Sequence, residues 1–194
     1  MRWLAVVSSR KRSWSWGTGL VLLVAQACSV GPGERDIAGT VQIAGCKVEG
    51  SYKLSPTAFL AQATEQQLHI RAQRGSDLEV KSDGLAVLVE DATLVKSKFL
   101  GASIDVAPDS KPAIDLSLFL NESCPPGRDQ TPVLNAVSGS IRFEAIYAPE
   151  VDENEVQIKA TIENVRFEDP RDSERWAELS GDFDFLYARG AIPR

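Results

Sequence analysis

The 194-residue chain is long enough for one domain and short for two, and it carries 27 acidic against 21 basic residues, a net charge of −6. All of the acidic residues follow residue 27 and four basic ones precede it, so the portion beyond that point has a net charge of −10. Such a surface repels phosphate backbones, and with no basic stripe or interleaved aromatic platform the composition argues against nucleic acid as a partner.

Residues 1–27 carry Arg2, Arg10, Lys11 and Arg12 ahead of an uncharged, mostly apolar run from Gly17 to Ala27. A basic start, a short apolar stretch and small residues before a cut are the layout of a secretory signal peptide. Spanning a bilayer takes about 20 apolar residues, more than this run offers, which disfavours the competing reading of an uncleaved anchor. The run ends in Ala25-Gln26-Ala27-Cys28, which resembles the lipobox of bacterial lipoproteins, where a small residue precedes a cysteine. The resemblance implies cleavage before Cys28, lipid on its thiol, a further acyl chain on the new amino terminus, and a place in the bacterial cell envelope. Two or more chains hold a protein stably where one holds it marginally. By the same analogy Ser29 points to the outer membrane, with the protein facing the periplasm or the surface. The alternative is a signal cut by the ordinary peptidase, with Cys28 left as a free thiol.

Residues 28–35 then read as the lipidated cysteine and a flexible tether, because Ser29 to Glu34 are turn-rich. Residues 36–194 read as a single β-rich domain. Val41 and Ile43 mark an opening strand. Residues 56–67 fit either a helix, with Pro56 at its first position and good helix formers from Ala58 to Ala63, or strand and loop. Leu68, Ile70 and Ala72 alternate with polar residues, as do Leu85, Val87 and Val89, and a single helical turn fits between Leu94 and Leu100. Ile104 and Val106 form a short strand, and Ile114, Leu116, Leu118 and Leu120 a clear one ending before Cys124-Pro125-Pro126-Gly127.

The last three runs predict consecutive antiparallel strands. The first holds Ile141, Phe143 and Ala145. The second holds Val156 to Ile162, with Val165 and Phe167 re-phased by a bulge at Glu163-Asn164. The third holds Leu179 to Tyr187, and loops fall at about 148–154 and 169–176. Many short strands at this spacing predict an all-β domain, an antiparallel sandwich or barrel. Cys46 and Cys124 make an even pair once Cys28 is set aside, and in an oxidising compartment they are expected to form a disulfide; two buried free thiols are the alternative.

Signatures of catalysis are sparse. The single histidine, His69, sits in an alternating strand facing away from the apolar stripe, with no nucleophile near it in sequence. His and Cys are too few for a usual zinc site, so no metal or cofactor is expected. Carboxylates cluster at Glu150, Asp152, Glu153 and Glu155 and again at Glu168, Asp169, Asp172 and Glu174. Neither cluster has EF-hand spacing, and both read most simply as solvated loop charge. Trp176 is the one tryptophan after the leader, either an exposed stacking surface for a ligand or a half-buried plug at one end of the fold. Two functions follow. One is a non-enzymatic envelope lipoprotein, held to the membrane by lipid, whose β-domain binds a protein or glycan partner. The other is a carboxylate-based hydrolase or a calcium-dependent carbohydrate-binding module, which would need acids converging in a cleft.

Overall fold

The structure is a computed structural model that describes residues 28–31, 33–75, 82–124, 133–153 and 156–187. The leader, residues 1–27, lies outside the described residues, as does Glu155. The described residues form eleven antiparallel strands: β1 (Cys28–Gly31), β2 (Gly33–Gln42), β3 (Gly50–Leu54), β4 (Ala58–Thr64), β5 (Gln67–Gln73), β6 (Asp83–Val89), β7 (Ser103–Asp105), β8 (Ile114–Leu120), β9 (Val133–Ala145), β10 (Val156–Asp169) and β11 (Asp172–Tyr187). A single helical turn, α1 (Ala92–Leu94), runs into a π-helical turn at Val95–Phe99.

Pairing runs from β1 through β4, β5, β6, β8, β9, β10 and β11 to β2 and β3. One residue separates β1 from β2 and three separate β3 from β4. The two ends of the path are therefore halves of one long hairpin: Cys28 pairs with Gln62 and Gly31 with Phe59, while Ile37 pairs with Leu54 and Val41 with Gly50. Because β2 is also bonded to β11, the sheet curls round on itself as a barrel, which leaves few open edges. Its weakest seam lies between β8 and β9, which pair only from Ser117–Asn135 to Phe119–Val133. Beyond that stretch β9 pairs with β7 instead, and Ala92, Val95, Ile104 and Val106 are buried there.

Alternation explains the core. Inward positions on the best-ordered alternations are apolar and buried, as with Leu85, Val87 and Val89 on β6 and with Ile114, Leu116, Leu118 and Leu120 on β8. Phe59 stacks on Phe185 at 5.1 Å and Tyr147 packs on Tyr187 at 4.4 Å, so side chains fill the interior. The expected bulge at Glu163-Asn164 is present: the β10–β11 register shifts between Ile162 and Val165, with Asn164 at φ +49°.

Two expectations differ from the structure, and the choice left open for residues 56–67 is decided. Residues 28–35 are not a free tether, since Cys28–Gly31 pairs with β4 and the segment from Gly33 pairs with β11. Their Gly and Pro content resembles a linker, but their pairing is decided by the edges that β4 and β11 offer. Residues 58–64 are strand, because β1 and β5 bond to either side and override a helix-compatible composition. The loop expected at about 169–176 shrinks to a tight turn, with Asp169 paired to Asp172. There the Asp169 carboxylate accepts from the Arg171 backbone N–H at 3.0 Å and from its Nε at 2.9 Å, and β11 begins at Asp172.

Candidate functional site

The register across β4, β5, β6 and β8 sets the outward-facing residues in rows. One row runs Gln62, His69, Leu88, Asp115; the next runs Leu60, Arg71, Ala86, Ser117; the third runs Ala58, Gln73, Gly84, Phe119. In the middle row the neighbours Ala86 and Ser117 are short, while Leu60, Arg71, Leu88 and Phe119 stand around them. A groove of about 410 Å³ opens there on the outer wall, lined by Leu60, Gln62, His69, Arg71, Leu88, Asp115 and Ser117 with Ala86 among them. That volume lies within the range of small-molecule sites.

Arg71 is the groove's distinctive group. It is half-buried and makes no hydrogen bond or ion pair among the described residues, and its Nε is shielded from solvent without a partner. Its one specific contact is with Phe119, whose ring centroid lies 5.7 Å from the guanidinium carbon. A desolvated donor normally finds an acceptor, so a free guanidinium at the wall of a groove is poised to bind one.

His69 is exposed, as strand parity indicates, and lines this groove. It forms no catalytic arrangement with the other lining residues. Leu88 stands between it and Asp115 in the same row, and Ser117 lies in a different row with its Oγ 3.1 Å from Asn135 Oδ1. Sequence reasoning did not single out Arg71 or Asp115, because an outward charge in an alternating strand looks like any solvated face.

The acidic clusters resolve into separate local contacts. Asp152 accepts from Lys96 Nζ at 2.6 Å and from the Ala148 N–H at 2.8 Å, tying the π-helical turn to the loop before β10. Glu150 accepts from Gln66 Nε2 at 3.2 Å and Glu168 from Arg166 Nε at 2.8 Å. Asp169, its side chain shielded from solvent, is paired with Arg171 and with Arg175 at 3.2 Å. The Arg171 hydrogen bond holds its carboxyl below the ordinary aspartate value, against the opposing effect of burial. No three His, Cys, Asp or Glu side chains are grouped to hold a metal among the described residues.

Trp176 is half-buried on the outer wall, with Ala177 pointing inward beside it. The Arg166 guanidinium lies 4.4 Å from its ring, so one face is already covered by a cation. It neither plugs an end of the barrel nor offers both faces to a ligand.

At the opposite end of the barrel from Cys28, the Cys46 and Cys124 sulfurs are joined, with Cα atoms 4.4 Å apart. Beside them lies a buried polar network that no pattern of alternation foreshadows. Asp83 is fully buried and accepts from the Glu122 N–H at 2.9 Å, the Ser123 N–H at 3.0 Å, Tyr52 Oη at 3.1 Å and the Ser123 hydroxyl. Burial first, and then the Asp83 charge and hydrogen bond, push the Tyr52 phenol far above its ordinary value. With both carboxylate oxygens engaged by the turn that carries Cys124, this network positions the bridge. No protein-family model, curated protein or solved structure matches the chain.

Proposed function

We propose that the protein is exported to the bacterial cell envelope, held there by lipid on Cys28, and that its β-barrel domain binds a partner and does not transform it. The observation that carries the reading is cysteine pairing. Of three cysteines, Cys46 and Cys124 take each other, and the odd one stands directly after the basic and apolar leader. A bridge closing 78 residues suits an oxidising compartment, and a thiol left over at a cleavage site suits acylation. The wall groove with Arg71 at its side supports a binding role, and Glu150, Asp152, Glu168 and Asp169 are each engaged by a neighbouring donor and do not converge on a common cleft among the described residues.

The test is intact mass of the mature protein with and without reductant, joined to detergent partitioning of Cys28→Ser. A mass increment for acyl chains and movement of the variant out of the detergent phase are expected. A mature chain that begins elsewhere and carries no lipid, or a variant that partitions as the parent does, overturns the anchoring.

A further inference from the structure

We infer that the wall groove on β4, β5, β6 and β8 is a site for a small amphipathic monoanion: a carboxylate on a compact apolar body, with a hydroxyl or amine donor at the far end. This deepens the binding role proposed above and rests on that part of it, not on the lipid anchor.

The carboxylate belongs at Arg71. Its guanidinium lacks a hydrogen-bonded partner among the described residues, and its Nε is already shielded from water, so an incoming carboxylate meets one donor whose dehydration has been met in folding. The planar fork of an arginine suits a two-oxygen acceptor better than any other side chain here. The setting adds selectivity. In a chain of net charge −6, an anion is repelled by much of the surface, and a half-buried guanidinium at the wall of a groove gives it a local attraction there.

The body of the ligand is set by the floor. Ala86 is the low point, with Leu88 one row along on the same strand and Leu60 in its own row on β4, beyond Arg71. A flat ring or short branched chain resting on Ala86 covers these apolar walls. The far end is set by Asp115, which lies two strands from Arg71 and one row along, an offset of about 12 Å between backbone positions. As a carboxylate it can only accept, so it asks for a donor and turns away a second negative charge. A dianion therefore fits worse than a monoanion.

The full chain carrying Cys28→Ser allows the test without detergent, and its result does not depend on whether the parent is acylated. The probe is 4-hydroxyphenylacetate, followed by amide chemical shifts. Saturable shifts are expected at residues 60–62, 69–71, 86–88 and 115–117. Replacing the acid by 4-hydroxyphenylacetamide, or Arg71 by Gln, is expected to weaken binding at least tenfold, and phenylacetate, which lacks the donor, to bind several-fold more weakly. Ala86→Trp, which fills the low point and keeps Arg71, is expected to abolish binding while the remaining shifts report an intact fold. Equal binding of acid and amide overturns the anion assignment while leaving a binding groove. Shifts centred on other strands, or none at millimolar probe, overturn the site itself.

Discussion

Asp83 concentrates four hydrogen bonds on one fully buried carboxylate, and its donors come from β3 and from the turn that leads to Cys124. Removing the acceptor leaves two backbone N–H groups and two hydroxyls without a partner in a place water does not reach. Asp83→Ala is expected to destabilise the protein by about 3–5 kcal/mol in denaturant titration. Tyr52→Phe, which removes a single donor, should cost about 1 kcal/mol. The two variants also separate in alkali. The native Tyr52 phenol is held protonated above its unfolded value of 10.0, so the unfolded chain loses that proton first as pH rises. Stability tied to this group is complete below that pH and declines above it, and Tyr52→Phe should show a shallower decline. Asp169 gives the opposite sign. Its native carboxyl titrates below the unfolded value of 3.8, so its contribution is present above that pH and is lost as pH falls through the native value. The destabilisation by Asp169→Asn at neutral pH, about 1–2 kcal/mol with half-exposed Arg171 and Arg175 as partners, should shrink on acidification through that window.

Among the elements, β10 carries the bend that lets the sheet curl. Its bulge at Glu163-Asn164 faces Gly139 on β9 on one side and lies next to Gly181 on β11 on the other. Gly139 sits at φ +106°, and a Cβ there would come within 2.5 Å of the Val165 Cα, so backbone meets backbone with no room for a methyl group. Gly139→Ala is expected to cost at least about 2 kcal/mol, because strain and overlap act together. Asn164→Gly, at a left-handed position glycine adopts freely, should be close to neutral by the same measurement. The bulge was legible in sequence because Val156 to Ile162 and Val165 to Phe167 alternate out of phase, and only an extra residue reconciles them. Strands β6, β8, β10 and the later part of β11 announced themselves by the same alternation. By contrast β3 has only Tyr52 and Leu54 facing inward over five residues, too short a pattern to stand out, and β4 has the composition of a helix until its neighbours are known. The charged run at Asp172 to Arg175 hid the start of β11, since nothing apolar alternates there. Arg71 was invisible for a different reason: what distinguishes it is the missing partner, a property of three strands and not of one.

At the scale of the whole molecule, the Cys46–Cys124 bridge closes a loop of 78 residues that contains the six strands from β3 to β8. In the chain-entropy model such a closure contributes about 4–5 kcal/mol, and reduction is expected to lower the unfolding midpoint by a corresponding amount in the presence of dithiothreitol. Double replacement of Cys46 and Cys124 by Ala should reproduce that loss and make the protein insensitive to reductant. The other end of the barrel carries a geometric consequence. Cys28 is the register partner of Gln62, and Gln62 is the first residue of the row that continues through His69 to Asp115. Were Cys28 to carry acyl chains as proposed, the start of β1 at that residue would leave no slack between the domain and the lipid. The mouth of the groove would then open about one inter-strand spacing, roughly 5 Å, from the point of attachment. A greasy acid dissolved in the bilayer would reach Arg71 by moving sideways in the headgroup layer, without ever entering bulk water.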